Sequence, residues 1–312
     1  MIVMVIWRSW IALSIAFAQM IAVGLIFLAS GAHAQSYELK PFKDELFTYP
    51  PVLEKAMGGA FLRLDYQIQR DLRDRDDVPE KKVQARYVSS RPSWYVRDQS
   101  AELAGQRRKH VRVGSPSDKT KLVVLYIHGK GGNRKQGTAN WTFGGNFNRL
   151  KNLMVRNNGV YLSPDVWLDA STGTQEIREL IALYRKRATN AKFIIACGSM
   201  GTLVCYGLAD SSGSAGQIDG LFFLGGATDE RLLRSQAVGA GVPIVFGHGS
   251  ADPVYAWQQQ ASLFKALRRQ QANYPVRFRL FESGSHGTPL RMIDWREEIN
   301  WMLQVREKTI AQ

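Results

Sequence analysis

Two textures of hydrophobic patterning divide the chain. Leu62, Leu64, Tyr66 and Ile68 alternate with Arg63, Asp65, Gln67 and Gln69. A period of two predicts a strand with one wet face. Val83, Ala85 and Tyr87 repeat the alternation, and "HVRV" from His110 adds a third short strand. Between the first two lies "RDLRDRDDVPEKK", which reads as a charged, hairpin-like connection. One-sided strands of this kind are expected to pair antiparallel, partly exposed.

From Leu122 onward the pattern is different. "KLVVLYIHG", "GVYLS", "FIIAC", "GLFFLGG", "PIVFGHG" and "VRFRLFE" are nearly unbroken apolar runs. Such runs suit strands buried on both faces of a parallel sheet. Helical spacing fills the gaps between them. Ile177, Leu180, Ile181 and Tyr184 share one helical face, behind a capping box of Thr172 with Gln175. Trp257, Ala261 and Phe264 mark a later helix, and Met292, Trp295, Ile299 and Leu303 a C-terminal one. Alternating strands and helices predict an α/β fold: a mostly parallel central sheet, helices on both faces and antiparallel leading strands. The connection from "GLFFLGG" to "PIVFGHG" has room for one helix, so no large lid domain is expected there. The longer connection after His128 begins as a loop and ends as a helix.

The first 34 residues carry no acid and one base, Arg8. An apolar stretch from Ile11 to Ser30 leads into "GAHAQS", where Ala32-His33-Ala34 is a small-x-small site. This is the pattern of a secretory signal peptide over 1–34, cleaved before Gln35 to leave a single domain, 35–312. The length of the apolar stretch leaves an uncleaved membrane anchor as the alternative. Export to the periplasm or the medium is the expectation.

Composition narrows the partners. The chain is 45% hydrophobic and 22% charged, as a globular protein is. Its net charge of +14 falls only to +13 without Arg8. So basic a protein adheres to anionic surfaces such as phospholipid or acidic polysaccharide, although the same charge also serves as a solvated surface. Neither zinc-finger spacing nor an RNA-recognition signature is present, so nucleic acid is not expected as a partner. Cys197 and Cys205 fall at a strand end and well into a helix, which predicts two buried thiols. With no His/Cys cluster, structural zinc is not expected either.

The chemistry is concentrated in "FIIACGSMGTLVCYGLAD", where a strand turns into a helix at Ser199 between Cys197, Gly198, Met200 and Gly201. A serine on so tight a turn has its hydroxyl thrust clear of the sheet, beside the N–H groups that open the helix. This is the nucleophile-elbow pattern G-x-S-x-G, with Cys197 in the first glycine's place. The competing reading is an ordinary glycine-rich strand-to-helix turn, as at a phosphate or dinucleotide site. A nucleophilic serine needs a base, and the base an orienting acid. Downstream of residue 34 the histidines are His110, His128, His248 and His286. His286, in "ESGSHGTP", follows the last predicted strand. Asp252, in "GHGSADPVY", follows the preceding one, and Asp165, in "YLSPDVW", is a rival acid. His128 and His248 end strands and are assigned to loop shaping and packing.

On these residues the chain resembles the α/β-hydrolase superfamily, whose triad follows the order Ser199, Asp252, His286. The resemblance spans 122–303, with 62–113 matching the leading strands. "HGSADPVYAW" with "SGSHG" is similar to segments of prolyl-oligopeptidase-like and dienelactone-hydrolase-like members. "YIHGKGGN" resembles the His-Gly-x-Gly oxyanion loop of esterases and lipases. The resemblance implies Ser199 as nucleophile, His286 as base and Asp252 as its orienting acid. It implies an oxyanion hole from the N–H of Met200 and that of Lys130 or Gly131, with no cofactor and no metal. The expected activity is hydrolysis of a carboxylic ester, with acylated glycans and lipid esters as candidate substrates. A serine peptidase of the same fold, or a non-catalytic cell-surface binding protein on it, are the alternatives. Lys130, Arg134 and Lys135 either attract an anionic substrate or face solvent. Trp141, Phe143 and Phe147 either line an acyl pocket or cover the core.

Overall fold

The computed structural model describes residues 37–310. The signal peptide expected over 1–34, with its cleavage site, lies outside the described residues. The strands are β1 (Val52–Ala56), β2 (Phe61–Leu64), β3 (Asp76–Val78), β4 (Lys82–Val83), β5 (Val96–Leu103), β6 (Gln106–Val113), β7 (Leu122–Ile127), β8 (Gly159–Pro164), β9 (Lys192–Gly198), β10 (Gly220–Leu224), β11 (Ile244–Gly249) and β12 (Val276–Phe281). The helices are α1 (Asn146–Arg156), α2 (Thr172–Arg185), α3 (Thr202–Asp210), α4 (Gln236–Gly239), α5 (Trp257–Gln270), α6 (Thr288–Met292) and α7 (Trp295–Ile310).

Ten strands form one sheet in the order β1-β2-β12-β11-β10-β9-β7-β8-β6-β5. Strands β7 to β12 run parallel. Their side chains alternate between two cores. Val123, Leu125 and Ile127 of β7 join residues of α2, α3 and α5 on one face. Leu122, Val124 and Tyr126 join residues of α1 and α7 on the other. That double burial is why these strands read as unbroken apolar runs. The two arginines in β12 are reconciled by pairing: Arg277 and Arg279 bond the buried Glu298 of α7 at 3.0 and 2.6 Å.

The leading segment departs from expectation. The alternation at Leu62–Ile68 stops being strand at Leu64, and Gln69–Arg73 forms a helical turn. Around Val83 only Lys82–Val83 is extended, and Ala85–Tyr87 is a 3-10 turn. The physical reason is where the backbone finds its partners. Val83 N–H donates to Trp141 O and Gln84 N–H to Arg75 O, so no long neighbouring strand is available. The leading strands also divide between opposite edges, and β2, expected to be antiparallel, pairs in parallel with β12. β1 and β2 extend the sheet beyond β12, whereas β6 and β5 extend it beyond β8. The charged connection does form a small hairpin, β3 with β4.

Two local expectations are corrected. The Thr172/Gln175 box does not form; the Asp169 carboxylate accepts from the N–H groups of Ser171 and Thr172 at 2.8 and 2.6 Å. Gln175 instead donates to Glu179. The cysteines are bonded to each other, with their Cα atoms 6.2 Å apart. Helix α3 folds back at once from the end of β9, and its first turn faces that strand end. The connection from β10 to β11 holds a 3-10 turn and the short α4, with no lid.

His110 in β6 is buried, with Nε2 2.8 Å from the Tyr184 hydroxyl. Burial, its largest influence, followed by the Arg112 charge, pushes its pKa from 6.5 down to about 4. Between those values the unfolded chain holds a proton that the folded chain does not, so acid favours unfolding. The stabilising contribution of neutral His110 is complete above about pH 6.5 and is lost as pH falls toward 4. Urea midpoints measured at pH 7.5 and 4.5 are expected to drop less in His110→Gln than in the native chain.

Candidate active site

Strands β9, β10, β11 and β12 are neighbours and parallel, so their carboxyl ends share one sheet edge, where α/β folds place their sites. Ser199 begins the turn after β9 with φ +52°, in the left-handed region. A non-glycine residue there stores about 1–3 kcal/mol, which the surroundings must hold in place. The glycines around it are needed for space. A Cβ on Gly198 would stand 2.6 Å from the Tyr126 hydroxyl. One on Gly201 would stand 2.5 Å from the His128 carbonyl oxygen, and one on Gly129 2.7 Å from Ser199 Cβ. The Cys197–Cys205 disulfide ties the strand end to the helix across this turn. Thr202 Oγ1 donates to Ser199 O at 2.7 Å, closing it from the other side.

The loops after β11 and β12 bring Asp252 and His286 to the serine. His286 Nε2 is 2.8 Å from Ser199 Oγ, and its Nδ1 is 2.8 Å from Asp252 Oδ2. The Asp252 side chain is fully buried. Its Oδ1 accepts from Val254 N–H at 2.7 Å and Tyr255 N–H at 3.2 Å. Strand β10 contributes backbone only. A Cβ on Gly225, which has φ +56°, would lie 3.1 Å from the His286 carbonyl oxygen. Sequence reading passed over this glycine; its signal was the Gly-Gly pair at the end of β10.

The rival acid has partners of its own. Asp165 is held by Arg134, whose backbone N–H donates to Oδ1 at 2.7 Å and whose guanidinium reaches Oδ2 at 2.9 Å. Arg134 also bridges to Asp98, so its charge is already paired. Lys130 and Lys135 are exposed. His128 and His248 are buried strand-end residues, each with Nδ1 near the next residue's carbonyl oxygen. Met200 N–H opens the turn, where helical N–H groups have no acceptor within the helix. Gly132 N–H is taken by Gly129 O, whereas those of Lys130 and Gly131 meet no backbone acceptor among the described residues.

No family model and no curated protein sequence matches the chain. Solved structures do. A feruloyl esterase module from Clostridium thermocellum superposes with TM-score 0.55 at 13% identity, over 73% of this chain and 94% of that one. A thermostable esterase superposes with TM-score 0.53 at 16% identity, over 67% and 63%. An esterase of Pyrococcus furiosus gives 0.51 at 10%, over 70% and 95%. The chain has the α/β-hydrolase fold. At these identities the likeness is one of architecture.

Beside His286 this α/β-hydrolase fold opens a cavity of about 370 Å³, lined by Tyr66, Leu72, Glu80, Phe143, Pro253 and Arg291 among others. Of the three aromatic candidates only Phe143 lines it. Phe147 is buried against Tyr126 and Trp295, and Trp141 is exposed with the Lys82 ammonium over its ring. One wall comes from the segment between β2 and β5. Arg291 donates to both oxygens of buried Asp76, at 2.9 and 2.7 Å. Arg75 lies next to them between the Phe47 and Tyr87 rings; burial, then the Arg291 charge, push its pKa down to about 10. Sequence reading missed this wall because its partners are 215 residues apart and its charges resemble a solvated face.

Gly198→Ala is expected to lower the melting temperature and the reactivity of Ser199 together. Tyr126→Phe, by removing the clashing oxygen, is expected to restore part of both, as scanning calorimetry and fluorophosphonate labelling would read. Replacing both cysteines by alanine is expected to cost about 2–3 kcal/mol in urea unfolding, the value for so short a closed loop.

Proposed function

We propose that the protein is a serine hydrolase that cleaves carboxylic esters through Ser199, His286 and Asp252. The observation that carries this reading is the single imidazole of His286 within 2.8 Å of both the serine oxygen and the buried carboxylate. With Nδ1–H donated to Asp252, Nε2 is left as an acceptor facing Ser199 Oγ, the tautomer a general base requires. Ser199 Oγ attacks the ester carbonyl carbon while its proton passes to His286 Nε2. The oxyanion is met by the N–H of Met200 and by that of Lys130 or Gly131. Each such donor is worth about 10²–10³ in rate. Collapse of the tetrahedral species breaks the carbonyl–alkoxy bond, and His286 returns its proton to the leaving alcohol. Water, deprotonated by His286, then attacks the acyl-enzyme; the acyl–Oγ bond breaks, Ser199 Oγ takes the proton back from His286, and the acid is released. Every proton and electron pair in this sequence is moved by the chain's own groups, so the reading takes no cofactor and no metal.

Esterase is preferred over peptidase because the three neighbours cited above are named as esterases. An ester of a glycan or of a lipid is the substrate class, with one portion in the cavity beside His286. The Cys197–Cys205 bond supports an exported protein, since disulfides persist in oxidising compartments. That agrees with the signal-peptide pattern over 1–34. The charge of +14 supports contact with an anionic surface.

A fluorophosphonate probe is expected to label the native chain and not Ser199→Ala. p-Nitrophenyl acetate and butyrate are expected to be hydrolysed, and peptide anilides not. Asp252→Asn is expected to lower kcat by about 10⁴, the loss seen when the imidazole tautomer is wrong, while Asp165→Asn leaves it near native. Cleavage of the anilides with inert esters would reverse the esterase reading; absence of labelling would remove the hydrolase reading.

A further inference from the structure

A second imidazole stands beside the same carboxylate. His248, in β11 and four residues before Asp252, is fully buried, with Nδ1 3.7 Å from Asp252 Oδ2. That is the oxygen that accepts from His286. We propose that His248 is a positioning residue, one that confines the Asp252 carboxylate and shares its charge so that Oδ2 stays aimed at His286. The proposal rests on the catalytic reading of Ser199, His286 and Asp252.

The protonation state of His248 follows from its neighbours. Nδ1 lies 3.1 Å from Gly249 O, and a carbonyl oxygen can only accept, so Nδ1 carries the hydrogen. Nε2 is buried with no hydrogen-bond partner among the described residues. It is therefore a bare lone pair, and a proton there would be a stranded buried donor. Burial accordingly holds the His248 pKa below its usual range, against the opposing pull of the Gly249 carbonyl and Asp252. Asp252 and His286 are the titratable groups that act on it. A neutral ring with its N–H end near Oδ2 steadies the anion without neutralising it. At 3.7 Å the contact is electrostatic and not a hydrogen bond. The short bond therefore belongs to His286 alone, and His248 does not compete for the proton from Ser199.

Two substitutions test this. His248→Leu removes the N–H at similar volume. With p-nitrophenyl butyrate, kcat is expected to fall about 2- to 12-fold with little change in KM, the scale of one modest polar interaction. The acid limb of the kcat/KM profile is expected to move to higher pH, because the Asp252 charge is then no longer shared with His248. His248→Asn keeps an N–H near the place of Nδ1 and is expected to restore most of kcat and the limb. The same displacement is to be read by NMR titration of His286 in the Ser199→Ala chain, which needs no turnover. Failure of the hydrolase reading would show as absent turnover. The His248 proposal would be overturned by an unmoved His286 titration, or by equal losses in both variants that track the melting temperature.

Discussion

A carboxylate with no exposure to water must find its partners inside the protein, and Asp252 is such a group. Leaving it unpaired would cost several kcal/mol. Two backbone N–H groups of its own loop meet one oxygen, and His286 meets the other. The demand of the buried anion thus sets the ring orientation of His286, and the ring orientation presents Nε2 to Ser199. Loops from β11 and β12 can deliver both groups because those strands are neighbours and end on the same edge as β9.

The serine itself is held against its own preference. A left-handed φ at Ser199 survives because the space around it is spoken for. Tyr126, the His128 carbonyl and Gly129 crowd three sides, and glycines at 198 and 201 leave room for them. The disulfide adds a covalent tie across the turn, on the core face that α3 shares with β9. The hydroxyl is thereby held in place beside His286 Nε2.

The wall that the β2–β5 segment adds to the cavity follows a different logic. Arg291 takes both oxygens of buried Asp76, and a second buried arginine, Arg75, lies beside the pair. The Phe47 and Tyr87 faces and the Gly144 carbonyl take up Arg75. Removing one member of such a cluster leaves charge stranded in low dielectric, so the wall is rigid by electrostatics as much as by packing.

The six parallel strands and their helices were legible in the chain because burial on both sheet faces writes itself as continuous apolar runs and helical stripes. The meeting of Ser199, Asp252 and His286 was legible because a tight strand-to-helix turn requires small residues around Ser199, and because Asp252 and His286 fall just after strands. The early alternations were misleading, since a half-buried turn such as Ala85–Tyr87 can mimic a period of two when its backbone bonds to a distant loop. The disulfide, the split of β1–β2 and β5–β6 to opposite edges and the Asp76–Arg291 wall were decided by tertiary structure. Each depends on which groups meet in space after folding, whereas periodicity records only which side of an element is dry.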